Sequence, residues 1–303
     1  MRYRPLGKSG MVVSTISLAL SERAAIARPA DWMALIYAAF ENGINAFEVS
    51  GDSPAMLDGI TQALRAVERN LVYVAWRVGT RTGPAGAVVR DFSAQNLNRT
   101  VDALLKRTGI GYLDAVVLDD PHTEEFSHQA LEALKAMRAD GRARMLGIAG
   151  QDDALDALLT TGAFDLLYLP YSLTSGWTER RRLRAAVDRD MGVVAYDFYP
   201  KNFHATSVAP KSASWLRTKA EPLAGAGTYA FLERTRNWTA EEICLTYALS
   251  EPSLASVQIS AERAERVEAL AAVPERELPA GLSAQIEMAR FSMVGGEKKA
   301  RGA

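Results

Sequence analysis

The amino-acid sequence predicts an α/β fold of the (β/α)8 TIM-barrel class, and three observations lead to that prediction. Short apolar runs of strand length alternate with amphipathic runs of helix length from end to end. The apolar runs show no polar alternation, which is typical of parallel strands buried on both faces. The chain has 303 residues, which is enough for one barrel of about 250 residues and its loops. We therefore expect a single domain over residues 1–303.

Eight strands and eight helices are predicted in strict alternation. The strands, in chain order, are Thr15–Leu20, Ala46–Val49, Val72–Val78, Ala115–Leu118, Met145–Ala149, Leu166–Leu169, Gly192–Tyr196 and Ala255–Gln258. The helices, in which apolar residues recur every three or four positions, are Asp31–Glu41, Pro54–Val67, Ala94–Lys106, Glu124–Ala139, Asp152–Leu159, Glu179–Arg189, Ala240–Leu249 and Ala264–Ala271. Ser93 and Thr239 are placed as helix caps, the latter in a capping box with Glu242.

Three segments lie outside this alternation. Residues 1–13 predict a short β-hairpin that turns around residues 7–10, where two glycines flank Lys8 and Ser9. About residues 295–303 form a polar tail that we expect to be disordered. Residues 197–238, a long loop after strand seven, are irregular, and such loops are usually functional or disordered. This loop contains three prolines and the aromatic residues Phe203, Trp215, Tyr229, Phe231 and Trp238.

Composition limits the classes of function that the chain can have. It carries 35 basic and 36 acidic residues, a net charge of −1, which argues against nucleic-acid binding through bulk charge. Cys244 is the single cysteine and lies in an apolar helical run, so we expect a buried small hydrophobic residue. The sequence has no apolar run of membrane-spanning length, and its charged N-terminus does not resemble a signal peptide. We therefore expect a cytoplasmic protein.

Several motifs occur in the order and spacing of one known family. Residues 43–50 read GINAFEVS, which resembles the GINxFDTA signature of the aldo-keto reductases. Other segments resemble the same family in the family's order: Met1–Gly7, Lys106–Asp114, Phe164–Tyr171, Gly192–Tyr196 and Ser256–Glu268. One such motif is weak, but an ordered series over nearly the whole chain is specific. The resemblance implies a (β/α)8 barrel whose floor is closed by the N-terminal hairpin.

The same resemblance aligns four residues with the catalytic tetrad of that family. Its Asp, Tyr, Lys and His deliver a proton to a carbonyl oxygen while a nicotinamide supplies hydride. The aligned residues here are Glu48, Ser53, Arg77 and Asp119. Ser53 is a weaker acid than a phenol, Arg77 keeps its proton, and Asp119 places negative charge where an alkoxide would form. We expect none of these residues to work conventionally, and ordinary reductase activity to be lost.

Other interpretations of these residues remain open. Arg77, Glu48 and Asp119 can form a structural charge network, or the acid–base groups of a non-redox lyase or epimerase. The protein can also be an active NAD(P)H-dependent oxidoreductase that delivers the proton by another route. His122 lies near Asp119, but neither the spacing nor the number of candidate ligands indicates a metal site. We expect no metal.

A nicotinamide dinucleotide site at the barrel mouth is also implied by the resemblance. Tyr196 aligns with the residue that stacks on the nicotinamide, although an aromatic residue at a strand end can equally serve as packing. Arg266 aligns with the arginine that meets the adenosine phosphate. Ser260 replaces a lysine that many members offer to the 2′-phosphate, and Glu262 adds a carboxylate, so NAD(H) is expected over NADP(H). The expected cofactor-binding set is completed by Asp197, Tyr168, Ala149, Gly150 and Ala261.

The altered tetrad resembles that of oxidoreductase-like regulators of bacterial cell division, the KidO type. This resemblance implies a catalytically degenerate protein that binds NAD(H) and regulates cell division and cell-cycle signalling. It also implies protein partners, among them FtsZ and a histidine kinase. The aromatic residues of the loop at 197–238 are of the types that anchor interfaces. They are expected to form either a partner surface or an ordinary lid over the barrel mouth.

Overall fold

The computed structural model describes residues 1–22, 24, 26–83, 87–200, 229, 232 and 235–289. In this part of the chain the strands are β1 (Tyr3–Pro5), β2 (Val12–Ser14), β3 (Ile16–Ser21), β4 (Ala46–Ser50), β5 (Tyr73–Val78), β6 (Thr80–Thr82), β7 (Val88–Arg90), β8 (Leu113–Asp119), β9 (Ala143–Ala149), β10 (Leu166–Pro170), β11 (Gly192–Tyr196) and β12 (Ser256–Ser260). Eight of them, β3 to β5 and β8 to β12, are parallel and close into one barrel in which β12 pairs with β3. The predicted (β/α)8 barrel is confirmed.

A helix follows each barrel strand and packs on the outside of the barrel. The helices are α1 (Pro29–Glu41), α2 (Pro54–Leu64), α3 (Ala94–Thr108), α4 (His128–Ala139), α5 (Asp153–Thr160), α6 (Trp177–Val187), α7 (Ala240–Leu249) and α8 (Ala264–Ala271). The predicted caps are confirmed, since Ser93 accepts a hydrogen bond from Asn96 and Thr239 accepts one from Glu242. The helix predicted from Glu124 begins only at His128, because Ser127 caps it there and a separate 3-10 turn precedes it.

The N-terminal hairpin closes the floor of the barrel. Strands β1 and β2 pair antiparallel, as the sequence predicts. Leu6, at the turn, is fully buried and packs with the barrel interior. Gly7 has a φ of +55°, and a Cβ there would lie 2.4 Å from the backbone nitrogen of Gly192. Only glycine therefore allows the turn to approach the start of β11 this closely.

Alternation along the strands divides the core into an interior and an outer layer. Residues two apart on a strand point to the same face, so Tyr73, Ala75 and Arg77 of β5 all point into the barrel. Small interior residues, such as Ala75 and Ala115, leave room for larger groups. Tyr73 and Tyr168 use this space, and their hydroxyls share a hydrogen bond of 2.8 Å. The larger core cluster lies between the strands and the surrounding helices.

A second hairpin, which the sequence analysis did not predict, follows β5. Strands β6 and β7 pair antiparallel beside the barrel mouth. Gly79 turns the chain into this hairpin with a φ of +96°, and a Cβ there would lie 2.1 Å from the Phe92 ring. The signal was present, since β-branched residues flank a Gly- and Pro-containing tip. The hairpin brings Thr80 and Arg81 to the edge of the barrel mouth.

Several expectations fall on residues that the structure describes only in part. Most of the loop at 197–238, including Phe203, Trp215 and Phe231, lies outside the described residues, as does the tail at 295–303. Trp238, at the end of that loop, lies 3.8 Å from the Arg276 guanidinium.

Cys244 is fully buried as expected, and burial raises the pKa of its thiol. None of the helices in the described ranges has the length and apolar character that a bilayer span requires.

Candidate active site at the barrel mouth

Three neighbouring strands place charged side chains at the carboxyl end of the barrel. Glu48, Arg77 and Asp119 lie on β4, β5 and β8, which pair with one another in that order. Each residue points inward because it lies two or four positions after an interior residue of its strand. The carboxyl ends of parallel strands form the face on which barrel enzymes carry their sites. The register therefore brings together three residues that are far apart in sequence.

Arg77 bridges the two carboxylates in a compact ionic network. Its Nε donates to Glu48 Oε1 at 2.6 Å, and its Nη1 donates to Asp119 Oδ1 at 2.8 Å. Thr80 donates to the other oxygen of Asp119. The Arg77 side chain is 13% exposed, so little water screens these contacts. The guanidinium is held by charge-assisted hydrogen bonds on two sides.

Electrostatics fixes the protonation state of Arg77. Burial lowers its pKa, but attraction by Glu48 and Asp119 outweighs burial and raises the pKa above its ordinary value. Arg77 therefore remains a cation throughout the accessible pH range. At this position the side chain can hold an anion or orient a neighbour, but it cannot supply a proton.

The phenols beside Arg77 are held in the protonated form. The centre of the Arg77 guanidinium lies 5.0 Å from the ring centroid of Tyr196 and 5.8 Å from that of Tyr168, within cation–π range. Burial raises the pKa of both phenols, although the nearby guanidinium opposes that shift. Neither phenol therefore has the lowered pKa that would make it a strong acid.

A cavity of about 430 Å³ opens over this network. Its volume lies within the range of small-molecule sites. Seven residues that the sequence analysis assigned to the tetrad or the cofactor line it: Glu48, Arg77, Asp119, Tyr196, Asp197, Ser260 and Arg266. The structure thus brings the two predicted groups of residues into one continuous space.

Other predicted residues lie outside this cavity. Ser53 directly precedes α2, and its side chain makes no capping hydrogen bond. Tyr168 is 1% exposed and lies deeper in the barrel, where it pairs with Tyr73. Ala149 is fully buried at the end of β9. A Cβ on the adjacent Gly150 would lie 2.8 Å from Asp120, so a side chain there would collide with this loop.

The predicted residues in the loop after β12 also fall into those that line the cavity and those that do not. Ser260 and Arg266 border the cavity, whereas Ala261 is buried and Glu262 is exposed without lining it. No group of three or more His, Cys, Asp or Glu residues in the described part of the chain has a metal-holding arrangement. The site is therefore built from Arg77, its two carboxylates and the ends of β11 and β12.

Among the cavity residues that the sequence analysis missed are Gln258 and Glu241. Gln258, on β12, is a polar residue inside an apolar strand, and that contrast was its signal. Glu241, in the first turn of α7, was predicted only as part of the helix Ala240–Leu249. In the structure it accepts a hydrogen bond of 2.5 Å from Arg266, which lies 25 positions later. No local pattern predicts this pair, because it depends on how α7 and α8 pack.

The residues present fit the nicotinamide end of a dinucleotide. Gln258 Nε2 is buried and has no hydrogen-bond partner among the described residues, so it can donate to a carboxamide or ribose oxygen. Tyr196 is partly exposed at the end of β11 and offers its ring to the same space. Ser260 and the Arg266–Glu241 pair would face the ribose hydroxyls. A bound dinucleotide would supply the hydride chemistry.

The geometry of the fold and site identifies the general class of protein. A closed parallel barrel with charged residues and a cavity at the carboxyl ends of its strands is the arrangement of the TIM-barrel enzymes. The sequence profile of the Aldo/keto reductase family matches residues 20–290. The chain belongs to that family, whose members use nicotinamide cofactors.

Individual relatives agree with this assignment. L-galactose dehydrogenase of Arabidopsis thaliana is 27% identical over 161 residues, which cover 50% of this chain and 49% of that one. The match therefore spans about half the length of this curated relative. The aldo-keto reductase AKR11C1 from Bacillus halodurans, solved in its holo form, superposes with a TM-score of 0.77 at 19% identity, over 95% of this chain and 96% of that one. PA4992 from Pseudomonas aeruginosa, provisionally assigned to the same family, superposes with a TM-score of 0.67 at 18% identity, over 89% of this chain and 93% of that one. These structures share the fold.

Proposed function

We propose that the protein binds NAD(H) in the barrel mouth, does not reduce carbonyl compounds, and acts as a regulator through protein partners. The observation that carries the proposal is the ionic network in which Arg77 is held between Glu48 and Asp119. In this arrangement Arg77, at the family's lysine position, and Asp119, at its histidine position, neutralise each other's charge. The tetrad is accordingly proposed to be degenerate, and the cavity above it to serve binding rather than turnover.

Among the described residues of the site, we find no side chain suited to deliver the proton of a carbonyl reduction. A carbonyl reductase needs a group whose acidity matches the working pH close to the carbonyl oxygen. Ser53 does not line the cavity, Arg77 has a raised pKa, and burial raises the pKa of Tyr196. Asp119 would in addition oppose the negative charge that develops on the oxygen. Hydride transfer to a carbonyl is therefore disfavoured on two independent grounds.

Preference for NAD(H) over NADP(H) is supported by the Arg266–Glu241 pair. An arginine binds a 2′-phosphate most strongly when no carboxylate already offsets its charge. Here Glu241, whose side chain is 18% exposed, already holds the Arg266 guanidinium at 2.5 Å. A 2′-phosphate would have to break this pair and then face the carboxylate, whereas a ribose hydroxyl can donate to it.

The partner proposal rests on the sequence resemblance to cell-division regulators. FtsZ and a histidine kinase are the partners that this resemblance suggests, and a cytoplasmic location follows from the same proposal. The loop at 197–238 is the proposed contact surface. Of its aromatic residues, Tyr229 is buried and Trp238 packs against Arg276, so these two anchor the described end of the loop.

NADH should raise the thermal unfolding midpoint of the protein more than NADPH does. A ligand that binds only the native state stabilises it by about 2.7 kcal/mol at one hundred times its Kd. Differential scanning fluorimetry over a series of concentrations of each dinucleotide provides the measurement. Tyr196→Ala should reduce the NADH shift, because it removes the ring beside the cavity.

Tyr3→Ala is a matched control for that substitution, because Tyr3 is exposed on the N-terminal hairpin at the opposite end of the barrel. It should leave the NADH shift unchanged. A larger shift with NADPH would contradict the assigned preference. If neither dinucleotide changes the midpoint, the proposal of a dinucleotide sensor fails.

Binding of NADH should also increase the hydrogen-exchange protection of the loop at 197–238. A ligand can bias only those states that it contacts differently, and this loop begins at Asp197, which lines the cavity together with Tyr196. Exchange of backbone amides, followed by mass spectrometry with and without NADH, tests the expectation.

Trp215→Ala and Phe203→Ala should weaken binding of an FtsZ partner. Unchanged protection and unchanged partner binding would remove the loop from the mechanism.

One observation favours a second candidate function. Glu48 Oε2 is buried without a hydrogen-bond partner among the described residues, and Glu48 lines the cavity. A carboxylate oxygen in that position can serve as the base of a non-redox lyase or epimerase, with Arg77 to stabilise an anionic intermediate. In that case substrate turnover would proceed without any change in nicotinamide absorbance.

A further inference from the structure

A small cavity lies inside the barrel, between the N-terminal hairpin and the ionic network at the mouth. Its volume is about 10 Å³, which is close to the least space that one water molecule needs. Leu6 and Val13, from the hairpin, border it on the floor side, and Glu48 borders it on the mouth side. Every residue that lines it is at most 5% exposed. The cavity is therefore closed to bulk solvent.

Three side chains that line this cavity carry a buried polar atom without a hydrogen-bond partner among the described residues. These atoms are the hydroxyl oxygens of Ser17 and Ser256 and the Oε2 atom of Glu48. The three side chains point inward, because the next residue along each strand belongs to the outer core layer. An unpaired buried polar atom costs free energy, and native proteins contain few of them. Their position around one cavity indicates a shared partner.

The tyrosine pair beside the cavity supplies a further donor. Tyr73 and Tyr168 both line the cavity, and their hydroxyls share one hydrogen bond of 2.8 Å. Burial raises the pKa of both phenols, so each keeps its proton. Two hydroxyls that share one bond use only one of their two protons. The pair therefore has one O–H group left to donate.

Charge and donor count identify the kind of molecule that fits this cavity. The Arg77 guanidinium lies 2.6 Å from Glu48 and already offsets the negative charge of that carboxylate. A hard metal cation takes about six or more oxygen ligands, and the cavity offers a single carboxylate. The hydroxyls around the cavity can donate as well as accept, so their partner must also do both. A neutral water molecule meets these conditions.

We propose that one water molecule is bound in this cavity as a fixed part of the barrel. It donates to Glu48 Oε2 and to one serine oxygen, and it accepts from the other serine and from the tyrosine pair. These bonds are within the two to about four that buried waters make. The inference goes beyond the proposed function, because it requires neither a dinucleotide nor a protein partner.

The water connects the interior of the barrel to the network at its mouth. Glu48 accepts from Arg77 on one oxygen and from the water on the other. Hydrogen bonds to the ionised form of a carboxyl group favour that form, so a carboxylate held on both oxygens is a weaker base. The bound water thus favours a binding role of the mouth cavity over the lyase or epimerase alternative.

A crystal structure of the full chain, at a resolution that shows ordered waters, tests the site directly. One peak of electron density should lie in the cavity, about 2.6–3.0 Å from the Ser17 and Ser256 hydroxyls and from Glu48 Oε2. The peak should be absent in Ser256→Val, because the two methyl groups occupy the space of the water. Thermal melting checks that this variant folds.

Chemical denaturation of alanine variants gives a test that needs no crystals. Ser17→Ala and Ser256→Ala should each lower the unfolding midpoint, because each removes a hydrogen bond to the water. The double variant should lose less than the sum of the two losses, since both hydroxyls bind the same molecule. Additive losses would mean that the hydroxyls have separate partners, which contradicts a shared water.

Ser253→Ala is the matched control for these variants. It removes the same hydroxyl three positions before Ser256, where the side chain is partly exposed, and it should leave the unfolding midpoint unchanged. Three further results would overturn the proposal. One is a cavity without electron density in a structure that shows ordered water elsewhere. Another is a midpoint that rises in both alanine variants, which is the effect of deleting a hydroxyl that has no partner. The third is density with ligand distances of about 2.4 Å, which belong to a metal ion.

Discussion

Replacing Arg77 by methionine should lower the free energy of unfolding by about 3–5 kcal/mol, which is the usual cost of leaving a buried charge without its partner. The substitution keeps much of the side-chain volume but removes the cation between Glu48 and Asp119. Those two carboxylates would then face each other at a site where water screens them poorly. Chemical denaturation, followed by far-UV circular dichroism, provides the measurement.

Arg107→Met is the matched control for this substitution. Arg107 also pairs with a carboxylate, at 2.6 Å from Asp58, but its side chain is 51% exposed. Exposed ion pairs contribute about 0–1 kcal/mol, so this variant should unfold close to the wild type. Equal stability of the Arg77→Met protein and the control would mean that the network at the barrel mouth does not stabilise the fold.

Restoring the family's tetrad should create the carbonyl reduction that we propose the natural protein has lost. The wild-type protein should oxidise NADH with a panel of aldehydes and ketones no faster than the blank. The variant with Glu48→Asp, Ser53→Tyr, Arg77→Lys and Asp119→His should exceed it by at least about 100-fold, because a positioned general acid contributes about 10²- to 10⁴-fold. The decrease in absorbance at the NADH maximum, followed for each carbonyl compound, provides the rate.

A variant that differs by one hydroxyl is the control for this gain. It carries the same three other changes but has Ser53→Phe, so it presents the same ring without the acidic group and should remain at the wild-type rate. The proposal of lost reductase activity is wrong if the wild-type protein turns over a carbonyl substrate and Ser53→Ala abolishes that turnover. In that event the serine hydroxyl would itself be the proton donor.

Much of the site follows from the sequence, because the resemblance to the aldo-keto reductases aligns its charged residues with one site at the barrel mouth. Glu48, Arg77 and Asp119 lie near the carboxyl ends of three neighbouring strands, and closure of the barrel brings their side chains together. The position of Tyr112 was equally predictable. It directly precedes β8, so it lies at the opposite rim, where the Arg69 and Arg144 guanidiniums lie over its ring at 4.1 and 3.8 Å.

Other parts of the site depend on contacts that no local pattern encodes. Glu262 was expected to act against a 2′-phosphate because it is close to Ser260 in sequence, but it is exposed and does not line the cavity. Glu241 faces Arg266 instead, since α7 and α8 both pack beside β12. Tyr168, expected near the cofactor, turns into the barrel because small alanines leave space there and Tyr73 satisfies its hydroxyl.

The sequence by itself determined the barrel, its order of strands and helices, and the floor hairpin. These features depend on apolar periodicity and on glycine and capping positions, which are local properties of the chain. Only the tertiary structure decided that one guanidinium bridges both carboxylates and that Arg266 is paired with Glu241. It also revealed the cavity inside the barrel. These features depend on the distances between side chains of different elements, which closure of the barrel and packing of its helices set.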